Sequence, residues 1–132
     1  MNTILLSINP EHVEKIFNGI KQYEYRKIKC RKDVEKIIIY STYPIMKVVG
    51  EANVEKTLED TPKNIWKITE KYSGTSMDFY NEYFKDKEKA IAYKLIDVEK
   101  YSRPKELSEY GIKHSPQSFL YIDDIKDIIN NK

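Results

Sequence analysis

The chain predicts an α+β fold: a small mixed β-barrel with a helix near its start, a helix pair inserted in its middle and a helix at its end. Three observations carry this reading. Short runs rich in isoleucine, valine and tyrosine recur at Thr3 to Ile8, from Gln22 onward, at Lys36 to Tyr43, at Met46 to Val54 and at Ala90 to Tyr101, and such residues suit a pleated, half-buried surface. Helical spacing of apolar residues follows the pairs Asn9-Pro10 and Thr61-Pro62, each a capping residue before a proline at the first helical position. The 132 residues suffice for one core, and five or so strands of this length close best as a small barrel.

Each element has a local reason. After Asn9 and Pro10, Val13, Ile16 and Phe17 form one apolar face, and Gly19 can take the left-handed conformation that ends a helix. From Gln22 the pattern alternates, so Glu24 and Arg26 share one face of a strand while Tyr23 and Tyr25 share the other. Lys36 to Tyr43 reads as a buried or half-buried strand stopped by Pro44. In the next strand Met46, Val48, Gly50, Ala52 and Val54 fall on one face. The strand from Ala90 changes phase after Ile91, Tyr93 and Leu95, which predicts a bulge near Leu95.

The inserted pair begins with Thr61 and Pro62 and places Ile65, Ile68 and Tyr72 at core spacing before Ser73 and Gly74 break it. Its second helix, from about Ser76, carries Phe79, Tyr80, Tyr83 and Phe84. Arg103 to Leu107 reads as a loop and a short turn, and Ser118 to Ile122 as a short closing strand. Asp123 and Asp124 then open a helix with Ile125, Ile128 and Ile129 on one side, which either packs on the barrel or pairs with another copy. With no repeat, low-complexity tract or linker, residues 1–132 read as one domain.

Composition excludes several classes. The single cysteine, Cys30, forms no internal bridge, which suits a reducing cytoplasm. With two histidines beside it a dedicated zinc site is not expected, and no cofactor is implied. No apolar run reaches membrane-spanning length, and Met1 to Ile8 lacks the basic head and the length of a signal peptide, so a soluble, cytoplasmic protein without a membrane partner is expected. The net charge of +2 is small but uneven. Residues 1–47 hold nine Lys or Arg against five Asp or Glu, and Arg26, Lys27, Lys29, Arg31 and Lys32 form a basic rim. Such a rim attracts a phosphate backbone through counterion release, or protects a hairpin edge against edge-to-edge pairing; both readings stay open.

The most informative stretch is Gly19-Ile20-Lys21-Gln22-Tyr23-Glu24-Tyr25-Arg26, which sets three charged side chains around a turn from helix to strand. Two cations there can grip a phosphate or carboxylate while Glu24 orients them, or Lys21 and Glu24 can exchange a proton with a substrate. The bland alternative is a surface ion pair of Glu24 with Arg26 beside a solvated lysine. Around this motif stand Ile4-Leu5-Leu6-Ser7-Ile8-Asn9-Pro10, Ile37-Ile38-Ile39-Tyr40-Ser41, Val48-Val49-Gly50-Glu51 and Ser115-Pro116-Gln117-Ser118-Phe119, in that order. Together, from about Thr3 to Ile122, they resemble the ASCH domain, a relative of the PUA-like β-barrels.

The resemblance implies RNA binding in the cleft that holds Gly-x-Lys-x-x-Glu-x-Arg. Some ASCH-like proteins are enzymes, among them proteins reported to cleave RNA and an amidohydrolase that deacetylates acetylcytidine. In that amidohydrolase a lysine of the corresponding turn acts with a threonine and a glutamate; Lys21 matches by position, but Gln22-Tyr23-Glu24 supplies no threonine.

Two functions follow. In the first, a cleft beside Lys21, Glu24 and Arg26 binds RNA or a nucleotide, and the rim through Lys27, Lys29, Arg31 and Lys32 tracks its phosphates. In the second, a small hydrolase acting on RNA or a modified nucleoside uses Lys21 to activate the attacking group, Glu24 to relay a proton and Arg26 to stabilise negative charge; this needs a buried lysine with a depressed pKa. Ser7 and Ser41, at the ends of apolar strands, and Gln117, after Pro116, are further candidates for hydrogen bonds to a base or sugar, or for ties to the backbone. His12 is expected on the exposed side of the first helix and His114 in a loop, so neither is a candidate base. Cys30 stands among cations that would lower its pKa, or is simply a small apolar residue. Trp66 and the aromatics of the helix pair are read as core rather than as a stacking platform.

Overall fold

The computed structural model describes residues 2–122 of the chain. The helix expected from Asp123 lies outside the described residues. Six strands and three α-helices follow in the order β1 (Thr3–Ile8), α1 (Pro10–Phe17), β2 (Tyr23–Arg26), β3 (Lys36–Ser41), β4 (Lys47–Asp60), α2 (Pro62–Thr69), α3 (Met77–Tyr83), β5 (Ala90–Lys105) and β6 (Phe119–Tyr121). The sheet order is β2-β5-β4-β3-β1-β6. Only β1 and β3 run parallel; the other neighbours are antiparallel. The mixed sheet curls into a half-barrel, as the α+β reading predicts. Among the described residues it stays open between β2, four residues long, and the β1-β6 edge, which no backbone ladder joins.

The helix starts behave as the sequence predicts. The Asn9 side chain accepts the Glu11 amide at 2.9 Å, and the Thr61 hydroxyl accepts the Asn64 amide at 3.2 Å. Gly19 takes φ +82 just past α1. Helix α1 directs Val13 and Ile16 into the barrel, against Ile4, Leu6 and Ile8 of β1, Ile37 and Ile39 of β3, and Ile91, Tyr93 and Leu95 of β5. Helices α2 and α3 cover the outer face of β2 and β5. There Ile65, Tyr80 and Phe84 meet Tyr23, Tyr25, Ala90 and Ala92, so the two faces of β2 divide as its alternation requires. A third cluster, with Leu5, Ile38, Tyr40 and Val48, lies beneath Ile112 and Ile122. Among the described residues no helix is long and apolar enough to cross a membrane.

Four local expectations are corrected. In β4, Val48 does not share a face with Ala52 and Val54: Ile39 pairs with Gly50 and Tyr40 with Val48, so Val49 is an extra residue that reverses the alternation. The phase change of β5 falls just past Leu95, where Glu51 faces Glu99 but Asn53 faces Ile96 and so β5 carries an extra residue; beside Leu95 the bulge lies on the partner strand, because Val54 faces Leu95 while Lys56 faces Lys94, leaving Glu55 outside the ladder. Ile68 of α2 and Tyr72 in the turn after it are exposed, because the helix buries Ile65 and Thr69, and the Thr69 hydroxyl is bonded to the Ile65 carbonyl and the Tyr25 hydroxyl. Arg103 to Lys105 continue β5 instead of forming a loop; β2 has ended by then, and a proline without an N–H is tolerated on a free edge.

Candidate functional site

A cleft of about 280 Å3 opens where the sheet is unpaired, and the end of β1, the helices α1 and α3, and Lys21, Glu24, Tyr25 and Arg26 border it. The left-handed turn at Gly19 brings the chain back beneath α1, where the Lys21 amide donates to the Lys15 carbonyl at 3.0 Å. On the other side the Gln22 amide donates to Tyr72 at 2.8 Å, and the Gln22 carbonyl accepts from Leu95 at 2.9 Å. Lys21 is thereby held in the floor of the cleft, only 3% exposed. Its Nζ donates to the Ser73 carbonyl at 3.1 Å, stands 3.9 Å from Glu24 Oε1 and lies 4.6 Å from the centre of the Tyr25 ring. Desolvation pushes the Lys21 ammonium below its ordinary pKa, Glu24 opposes that shift, and Lys15 and Arg26 add to it.

Arg26 organises the opposite side. Its Nε and Nη2 donate to Glu24 Oε2 at 3.1 and 3.0 Å. Nη2 also donates to the Ser7 carbonyl at 2.9 Å, and Nη1 reaches Ser118 Oγ at 3.5 Å. The guanidinium therefore spans the gap that the sheet leaves open between β2 and β1. Glu24, 6% exposed, lies between the two cations. This is a buried, cross-linked triad, not a solvated surface pair. Above it, Phe79 and Tyr83 of α3 and His12 of α1 form the walls. Beneath Lys21, the Tyr25 hydroxyl is held 2.6 Å from Thr69 Oγ1, and burial raises its pKa to about 12 despite that hydrogen bond.

Not all the candidate residues converge on this cleft. Ser7, Lys21, Glu24 and Arg26 border it together. The Ser7 hydroxyl is turned to the closing segment and donates to the Pro116 carbonyl at 2.7 Å. Gln117 is exposed in the same segment, while Ser41 is buried at the end of β3, away from the cleft lining. Of the basic rim, Arg26 lines the cleft, and Lys27 stands beside its Tyr83 wall, with Nζ 4.5 Å from the centre of that ring. Lys29 pairs with Glu59 at 3.6 Å and Lys32 lies 4.8 Å from the Tyr121 ring centre, so the run follows the connection from β2 toward β6 and β3. Arg31 is exposed on that connection. Burial pushes the Cys30 thiol upward, against the lowering expected from its basic neighbours, and Tyr93 donates to its Sγ at 3.3 Å. Trp66 lies outside the cleft, 4.6 Å from the Tyr80 ring within the helix pair. His114 is exposed, as expected.

His12 is the residue that sequence reasoning misplaced. It is half-buried in the cleft wall, its ring edge-on to Phe79 at 5.4 Å, because the α2-α3 insertion folds over the side of α1. One signal was available: His12 stands four residues before Ile16, so the two share a face of the helix. Its Nδ1 is buried without a hydrogen-bond partner among the described residues. Desolvation, reinforced by Lys21, keeps the imidazolium pKa below the ordinary histidine value.

Residues 1–117 match the profile of a domain of unknown function, DUF365. The chain is 32% identical over 124 residues to an ATP synthase subunit alpha of Ureaplasma parvum, an alignment that covers 91% of this chain but 15% of that protein. The chain thus spans a small part of that curated relative. It is 27% identical over 128 residues to an ASCH domain-containing ribonuclease of Zymomonas mobilis, covering 96% of this chain and 76% of the relative. The crystal structure of ASCH from Zymomonas mobilis superposes with a TM-score of 0.85 at 25% identity, covering 98% of this chain and 94% of the other.

Proposed function

The chain belongs to the DUF365 family and is an ASCH domain, and from that premise we propose that its cleft seats single-stranded RNA, with one phosphodiester lying against Lys21 and Arg26. The observation that carries this reading is the triad: two cations fixed around one buried carboxylate, on the floor of a cleft whose walls are aromatic. Fixed charges engage a phosphate without first being ordered, and the exposed ring of Phe79 offers an unpaired base a stacking surface. Lys27, beside Tyr83, extends the positive charge from the cleft toward the basic connection. The ribonuclease named among the relatives supports RNA as the ligand class.

Fluorescence anisotropy of a labelled single-stranded RNA tests the proposal. Binding is expected to weaken with salt, with a log-log slope of about −1.4 to −2 for two or three phosphate contacts. Lys21→Met keeps most of the buried stem and removes the charge; it is expected to lower affinity about tenfold or more while the fold persists by circular dichroism. An unchanged affinity in a folded Lys21→Met protein would refute the assignment of the cleft.

A second reading, that the domain also turns over its ligand, is favoured by one observation: the Lys21 amine is buried and its pKa is depressed, the tuning that proton transfer near neutral pH requires. On that reading Glu24→Gln lowers turnover of RNA or an acylated nucleoside at least tenfold more than it lowers affinity. Equal losses would leave only the binding function.

A further inference from the structure

We propose that Glu24 is the residue that reads the sugar of the bound strand: its carboxylate oxygen Oε1 accepts a hydrogen bond from the 2′-hydroxyl beside the seated phosphodiester, so the cleft selects ribose over deoxyribose. The inference rests on the reading that a single strand occupies this cleft with a phosphate against Lys21 and Arg26.

The two oxygens of Glu24 are used unequally. Oε2 accepts from Arg26 Nε at 3.1 Å and from Nη2 at 3.0 Å. Oε1 receives no hydrogen bond among the described residues, and the Lys21 ammonium stands 3.9 Å from it, beyond hydrogen-bond reach. Lys21 is held off because its Nζ donates to the Ser73 carbonyl at 3.1 Å. Glu24 is only 6% exposed, yet it borders the cleft, and Oε1 is not sealed as the His12 ring nitrogen is. The grip of Arg26 on Oε2 fixes the plane of the carboxylate, so Oε1 keeps its place before any ligand arrives. A ligand that covers this oxygen must bring a donor to it, because a desolvated acceptor without a partner is costly.

The phosphate cannot be that donor. A phosphodiester presents acceptors only, so one held by cations on either side of Glu24 sets oxygen against oxygen unless a neighbouring group of the strand carries a proton. The base is attached across the sugar, and the exposed ring of Phe79 in the cleft wall is its stacking surface. The 2′-hydroxyl stands on the carbon next to the one that bears the 3′-phosphate, and within a polymer it is the donor that ribose has and deoxyribose lacks. Two hydroxyls of the cleft lining are already spent: Ser7 donates to the Pro116 carbonyl at 2.7 Å, and Tyr83 to the Tyr25 carbonyl at 3.3 Å. With ribose in place, the cations take the phosphate and the carboxylate between them takes the hydroxyl. With deoxyribose in place, the same oxygen is covered and unpaired, and a site built to bond a hydroxyl rejects the analogue without it.

The test titrates the native full chain, by fluorescence anisotropy, with three labelled single strands of one uracil-containing base sequence: all-ribose, all-deoxyribose and all-2′-fluoro. The fluoro strand keeps a ribose-like sugar pucker but has no proton to donate, so it separates the hydrogen bond from the shape of the chain. The ribose strand is expected to bind about ten- to a hundredfold more tightly than either of the others, the range for a hydrogen bond to a charged group. In Glu24→Gln, Arg26 draws the amide oxygen to itself and leaves the amide nitrogen at the place of Oε1. The preference for ribose is then expected to fall to within about threefold, in a protein whose fold persists by circular dichroism. A deoxyribose or fluoro strand bound as tightly as the ribose strand overturns the proposal, and so does an unchanged preference in folded Glu24→Gln. Equal binding of all three strands that Lys21→Met weakens overturns it while sparing the reading of the cleft; no binding of any strand defeats both. The strand comparison uses the native protein, so this arm does not depend on the folding of a variant.

Discussion

Replacing Gly74 with alanine is expected to unseat Lys21 and to cost the fold and RNA binding together. Gly74 adopts φ +67 in the break between α2 and α3, and a β-carbon built there would lie 2.4 Å from Lys21 Cβ and 3.0 Å from Lys21 Cα. No side-chain rotation relieves such an overlap, because the atoms met are at the root of the lysine. The same turn supplies carbonyls to both cations: Ser73 accepts from Lys21 Nζ at 3.1 Å and Gly74 from Lys15 Nζ at 2.9 Å. Strain at positive φ and displacement of packed backbone combine to about 2–4 kcal/mol, which for a domain of this size lowers the melting temperature by roughly 10 °C. Gly19 provides the control. It also has positive φ, +82, but nothing lies within 4 Å of an added β-carbon, so Gly19→Ala carries the conformational penalty alone. Thermal melts and RNA titrations of the two variants side by side decide the matter. If Gly74→Ala were no worse than Gly19→Ala in both, the close packing of the turn against Lys21 would have no consequence.

Arg26→Met should be the more damaging change. The guanidinium makes two contacts to Glu24 of 3.1 and 3.0 Å and one of 2.9 Å to the Ser7 carbonyl, across the side of the barrel that no backbone ladder closes. Its loss leaves a carboxylate that is 6% exposed with, among the described residues, only the Lys21 ammonium, at 3.9 Å, as an ionic partner. Removing one member of a buried pair costs about 3–5 kcal/mol, much of it from the charge left behind. A double variant, Arg26→Met with Glu24→Met, separates this effect from simple loss of packing. It should be more stable than Arg26→Met alone in urea unfolding, because no orphaned carboxylate remains, yet it should still fail to bind RNA. Strictly additive free energies would mean that Glu24 and Arg26 are not coupled and that the triad is not a unit.

The legible parts of this chain were those in which a residue acts on its own neighbours. Asn9 and Thr61 cap the helices that follow them, and Gly19 ends α1, because capping is a matter of a few adjacent dihedrals and one hydrogen bond. The division of Tyr23 and Tyr25 from Glu24 and Arg26 follows from the two-residue period of a strand. The motif was legible too, but not its burial. Nothing within eight residues of sequence shows that Lys21 is 3% exposed or that Ser73 and Gly74 surround its stem.

Where packing from a distant segment acts, local pattern misleads. Ile68 and Tyr72 have helical core spacing, yet α2 turns Ile65 and Thr69 inward, toward a tyrosine hydroxyl supplied by β2. Val49 reverses the alternation of β4 because its partner β3 has one residue fewer in the ladder. His12 has an exposed look on α1 until α3 lays Phe79 against it.

Length, composition, caps and strand period thus account for which of the described elements form and in what order, and for the inward side of β2 and of Val13 and Ile16 in α1, since each depends on contacts between near neighbours in the chain. The cleft itself depends on segments brought together from different parts of the chain: Lys21 with β2, the end of β1 with α1, and the α2-α3 insertion. Burial and electrostatic coupling depend on distance in space, so the charged triad, the half-buried histidine with its lowered pKa and the guanidinium across the open edge arise only once those segments have met.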